Sequence, residues 1–153
     1  MIEIRLKYWT RSRWLLAVGI SMLGVHGCRR NELPLVPVRG LVKFAGGPCP
    51  AQGNVTFAPI EVEAGLPRRP GSAAFQTDGQ FAVTSFQKDD GLLPGRYKVS
   101  VTCYSGLPDP ASSDPWGDVS YVPNDYQPQE LIVKRDSDPI ELTYDVPTKK
   151  KNR

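Results

Sequence analysis

Beyond residue 35 the chain alternates apolar and polar residues with a period of two, in short runs separated by turn formers. Val36, Val38, Val42 and Phe44 share one face of a first run, with Arg39 and Lys43 opposite, and Gly46-Gly47-Pro48 turns the chain. Val55 and Phe57 alternate with Asn54 and Thr56, and Phe75 lies in a third run. Asp78-Gly79 is the strongest hairpin signal, followed by Phe81 and Val83 against Gln80 and Thr84. Pro94-Gly95 opens the clearest run: Tyr97, Val99, Val101 and Cys103 point inward, Arg96, Lys98, Ser100 and Thr102 outward. Leu131 and Val133 make a sixth run. Ile140, Leu142 and Tyr144 make a seventh, with Glu141 and Thr143 outside. No window past residue 35 carries a helical period.

These runs predict an all-β domain over residues 36–146, a seven-stranded immunoglobulin-like or transthyretin-like antiparallel sandwich. Two connections are longer than such a fold requires. Residues 58–71 hold Pro59, Gly65, Pro67, Pro70 and Gly71; residues 105–128 hold five prolines with Trp116, Tyr121 and Tyr126. These three aromatics have two readings. They contact a sugar or another small ligand, or they pin the connection over an open edge of the sheets.

The N-terminus is of another kind. Residues 1–13 are basic and mixed, and residues 14–25 form the uncharged apolar stretch WLLAVGISMLGV. A basic segment, a short apolar core and a small residue before a cut is a secretory signal, and the core is short of the roughly 20 residues that a membrane span needs. Val25-His26-Gly27-Cys28 resembles the bacterial lipobox, with His26 replacing the usual small residue. That resemblance implies a lipoprotein signal over 1–27 and a lipid on Cys28, which becomes the mature N-terminus. A tether over 28–35 and a basic disordered tail over 147–153 flank the domain. An ordinary secreted protein with an incidental Cys28, or an uncleaved anchor, are the competing readings.

The ordered turn motifs resemble a known family. Val38-Arg39-Gly40-Leu41-Val42 with Gly46-Gly47-Pro48 comes first, then Val55-Thr56-Phe57-Ala58-Pro59. Thr77-Asp78-Gly79-Gln80-Phe81, Leu93-Pro94-Gly95-Arg96-Tyr97-Lys98-Val99 and Tyr121-Val122-Pro123-Asn124-Asp125-Tyr126 come after them. Together they are similar to the carboxypeptidase regulatory-like, transthyretin-like domains, above all those of small lipoproteins from planctomycete-type bacteria. The resemblance implies a β-sandwich with no catalytic residues of its own, and it implies no ligand.

Composition and charge narrow the chemistry. The chain has 153 residues, 14 Gly and 15 Pro, poor material for long helices. Arg5, Lys7, Arg11 and Arg13 against Glu3 account for the net charge of +3, and four more cations crowd the end as Lys149, Lys150, Lys151 and Arg153. The body between is mildly acidic, which argues against nucleic acid as a partner. The single His is His26, inside the signal, so a mature chain would lack the base of Ser-His-Asp or Cys-His systems. Asp89-Asp90, Asp136/Asp138 and Asp109/Asp114/Asp118 read as turn aspartates, without the spacing of a calcium loop. No metal or cofactor is expected. Cys49 and Cys103 form an even pair in an oxidising compartment and would lie at one end of the strands; they read as a disulfide or as buried free thiols. The resulting expectation is a non-enzymatic lipoprotein, exported and anchored to a bacterial membrane through Cys28, serving as a structural or interaction module for an envelope protein or glycan. The alternative is a carbohydrate or small-ligand binder using Trp116, Tyr121 and Tyr126.

Overall fold

The computed structural model describes residues 33–147 and Lys149, Asp109 excepted. It is all-β, with seven strands and one short helix: β1 (Val38–Phe44), β2 (Gly53–Val62), β3 (Gly71–Phe75), β4 (Gln80–Ala82), β5 (Gly95–Cys103), α1 (Pro115–Val119), β6 (Leu131–Val133) and β7 (Ile140–Val146). The strands form two sheets, a three-stranded one in the order β4-β1-β7 and a four-stranded one in the order β3-β2-β5-β6.

Both sheets turn their apolar faces into one core. Tyr97, Phe57, Phe75 and Val55 of the larger sheet pack with Val38, Val42, Phe81 and Val146 of the smaller. Alternation is cleanest in β5, where Tyr97, Val99, Val101 and Cys103 are buried and Arg96, Lys98 and Ser100 are exposed. Tyr97 is fully buried, and its phenol donates a hydrogen bond to the Leu93 carbonyl at 2.9 Å, so its polar atom enters the core satisfied. Leu92 and Leu93 are also fully buried, although they lie outside any alternating run.

Three expectations are corrected. The strand pairing is not wholly antiparallel: β1 and β7 run parallel, Val38 beside Ile140 through Phe44 beside Val146. β6 belongs to the other sheet and ends at the pole where β1 begins, so β7 sets out in the direction of β1. Asp78-Gly79 makes a turn but no hairpin, because β3 and β4 lie in different sheets. Gly79 donates to Gln76 O at 2.9 Å, closing the turn, and its carbonyl accepts from Val42 N–H at 2.9 Å. The signal specifies the turn, but the course of the chain after it is decided by which sheet buries Phe81. Finally, the loop expected over 58–71 is shorter, since β2 continues to Val62. Its pairing with β5 shifts register between Pro59 and Glu61, a β-bulge, where proline is tolerated. β3 accompanies β2 only as far as Phe57, and beyond that Arg68 donates to the carbonyls of Pro59 at 3.1 Å and Ile60 at 2.9 Å.

Gly79 has a φ of 74°, and a Cβ there would press on the Val42 carbonyl. Gly79→Ala therefore combines backbone strain with a steric clash. It is expected to lower stability by more than about 1 kcal/mol, read as a lower urea midpoint at unchanged m-value.

Candidate interaction surface

The strands have two poles. At one, where β1 starts, Val36 N–H donates to Leu92 O at 2.8 Å and Ile140 N–H to Pro37 O at 2.9 Å. At the other, β1, β5 and β7 end together: Ala45 N–H donates to Val146 O, and Tyr121 N–H to Cys103 O. The chain from residue 33 thus reaches the domain at the first pole, and the 105–128 connection rises from the second. Seven residues of β1 separate them, about 23 Å of extended chain.

The 105–128 connection is ordered by its own hydrogen bonds. Tyr104 forms a bridge with Ser120, and Ser105 N–H donates to Val119 O at 2.8 Å, which brings α1 back over the end of β5. The structure does not gather Trp116, Tyr121 and Tyr126 into one site. Trp116 is 53% exposed and packs against Tyr104, ring centroids 5.0 Å apart and tilted by 54°. Tyr121 and Tyr126 pack against the core instead, pinning the connection to the sheets. Leu107, in the same connection, is 91% exposed.

Tyr126 has a second role, because it lines a groove at one seam between the sheets. The opposite seam is closed: Ser72 of β3 and Thr84, just past β4, exchange backbone hydrogen bonds at 2.9 Å. At the β6/β7 seam no such bridge forms among the described residues, and a groove of about 580 Å³ runs between Tyr126–Ile132 and Leu142–Asp145. Tyr144 is buried at its floor, stacked on Phe81 with centroids 6.1 Å apart. Burial, and secondarily Tyr126, push the Tyr144 phenol up to about 12. Burial and the charge of Asp145 raise Tyr126 as well. The groove carries acids at Glu130 and Asp145 and no basic side chain. Strand alternation had marked Tyr144 as a core residue; that β7 stands at an open seam was not readable from its sequence.

A second groove, of about 480 Å³, lies near the first pole between the end of β2 and β6. Its two arginines are paired with acids. Arg135 holds Glu63 with two nitrogens at 2.9–3.1 Å, and Arg96 sits 3.7 Å from Glu61 and 3.6 Å from Glu130. These are solvated surface pairs of small energetic weight. The aspartate runs behave as turn formers where the structure describes their contacts. Asp90 alone accepts from the N–H groups of Ser85, Phe86 and Gln87 at 2.7–3.0 Å. Among the described residues no cluster of three or more His, Cys, Asp or Glu is placed to hold a metal ion.

The disulfide reading for Cys49 and Cys103 is corrected: both are buried free thiols. They do lie at the same pole. Cys49 donates to Val42 O at 3.2 Å, and Cys103 to Ala51 O at 3.5 Å. Each thiol thus points at a backbone carbonyl. Cys28 lies outside the described residues.

Burial pushes the Cys49 thiol up to about 11, with the neighbouring Cys103 and Asp78 adding to the shift. For Cys49 and Tyr144 the folded chain favours the neutral form, whereas the unfolded chain ionises near the ordinary values of 9.0 and 10.0. The stabilisation is fully present below about pH 9 and is lost as pH rises towards 11 and 12. Urea midpoints should hold level to about pH 9 and fall above it; a rise across that window would refute the assignment. No family model, curated protein or solved structure matches this chain, so its function rests on its own residues and geometry.

Proposed function

We propose that this chain is a non-enzymatic lipoprotein, exported and held to a bacterial membrane through a lipid on Cys28, whose two-sheet domain serves as an interaction module of the cell envelope. On this reading the domain is an immunoglobulin-like or transthyretin-like sandwich of the carboxypeptidase regulatory-like kind. The observation that carries it is the order of the first 28 residues: a basic segment, an uncharged apolar stretch and Val25-His26-Gly27-Cys28. One acyl chain binds a membrane marginally, and the two or three chains of a processed lipoprotein bind it stably.

The described chain enters the domain where β1 begins, and Trp116 and Leu107 stand exposed in the connection that rises from the opposite pole. The absence of histidine after residue 26, the pairing of Glu61, Glu63 and Glu130 and the turn role of Asp90 favour binding over catalysis.

A second reading is carbohydrate or small-ligand binding at the 105–128 connection. It is favoured by the half-exposed Trp116 ring, held at a fixed angle by Tyr104. Here Tyr121 and Tyr126 would act from beneath as supports.

Intact mass of the chain from a detergent-solubilised bacterial membrane fraction is expected to show a start at Cys28 with added acyl mass. Cys28→Ser should leave the protein unprocessed and without the acyl mass. A processed wild-type chain lacking acyl mass would overturn the anchor. For the second reading, glycan-array binding abolished by Trp116→Ala is the expected result, and binding unchanged by that substitution would exclude it.

A further inference from the structure

β7 is the outermost strand of its sheet, and its pairing with β1 fixes which of its backbone groups are unused. Ile140 N–H donates to Pro37 O, and Val146 O accepts from Ala45 N–H. In a strand the N–H and C=O of one residue point to the same side, and alternate residues point to opposite sides. Ile140, Leu142, Tyr144 and Val146 therefore face β1, and the N–H and C=O groups of Glu141, Thr143 and Asp145 point to the free edge. No backbone hydrogen bond of the described residues reaches them. Edge strands in stable proteins are usually covered, bulged or blocked by lysine or proline. This one is seven residues long and pairs along its whole length in regular register. It bears neither lysine nor proline, and it opens beside the groove lined by Tyr126, Leu131 and Leu142.

The side chains say what fits there. On the outward face of the sheet, Glu141, Thr143 and Asp145 stand in register with Arg39, Leu41 and Lys43 of β1. The strand that β7 already accepts thus carries a cation, an apolar residue and a cation at alternate positions. A strand added to the other edge, about 4.8 Å away, meets Glu141 and Asp145 at the same spacing, Glu141 with its whole carboxylate and Asp145 with one oxygen already accepting from Gly46 N–H at 2.9 Å. Its other face looks into the groove, where apolar side chains would pack on Leu142 and Tyr126. A second copy of this chain pairing through β7 is disfavoured. Antiparallel pairing centred on Thr143 sets Glu141 opposite Asp145, like charge against like.

We propose that the free edge of β7 is a docking site for an extended peptide segment of a partner protein, added as a fourth strand, with Lys or Arg two residues either side of a central position and apolar residues between. This deepens the interaction-module reading, and rests on it only in supposing a protein partner. Lipidation of Cys28 is read by mass and enters neither arm of the peptide-binding test.

The test uses the full chain in detergent micelles and the blocked peptide acetyl-Val-Lys-Val-Thr-Val-Lys-Val-amide, followed by amide chemical shifts. Saturable shifts at Glu141, Thr143 and Asp145 and around Tyr126 are expected. Replacing the central Thr of the peptide by Pro, which removes a backbone donor, should abolish them. Glu141→Lys, on an exposed side chain, should weaken binding about three- to tenfold and restore it to a peptide with Glu in place of Lys. Shifts elsewhere, saturation unaffected by Glu141→Lys, no binding, or self-association through β7 in place of peptide binding would each overturn the proposal.

Discussion

Everything in this domain depends on burying the large side chains of two sheets against each other. Tyr97, Phe57 and Phe75 have nowhere to go but onto Val38, Val42, Val83 and Val146. That requirement enforces the period-two pattern, because a slip of one residue in β5 would bring Arg96, Lys98 and Ser100 into the core. It also disposes of the polar atoms that must enter: the Tyr97 phenol ends on Leu93 O and the Ser85 hydroxyl on Gly91 O at 2.6 Å. No buried side-chain nitrogen or oxygen among the described residues is left without a partner.

Two stacked sheets have two seams, and this chain treats them differently. One is stitched by the backbone exchange between Ser72 and Thr84. The other leaves β7 without a neighbouring strand on its outer side among the described residues, and a groove next to it. The asymmetry comes from connection lengths. Four residues join β3 to β4, which keeps the strands close as the chain changes sheets. At the other seam the connection from β6 to β7 is longer, six residues from 134 to 139.

The strands were legible in the sequence because alternation reports burial on one face directly. All seven runs correspond to strands, and the inward residues of β5 are the buried ones. Sheet membership was not legible, since Asp78-Gly79 encodes a turn whether or not the flanking strands pair with each other. The parallel β1–β7 pair was hidden for the same reason: it depends on where β6 ends in space. Trp116, Tyr121 and Tyr126 looked equivalent on the chain, yet only contacts across the fold separate the exposed ring from the two that pin the connection. Leu92 and Leu93 escaped notice because they are buried consecutively, without alternation. The open edge had no local signal, as Glu141, Thr143 and Asp145 read as an ordinary solvated face.

The β7 edge runs from the pole where β1 begins to the pole from which the Trp116 connection rises. Amide hydrogen exchange along β7 in the free protein tests the open edge most directly. Leu142 and Tyr144, whose N–H groups face β1, should be strongly protected, while Glu141, Thr143 and Asp145 exchange close to the rate of an unprotected peptide. Uniform protection along the strand would mean that the edge is already covered, and would contradict the account.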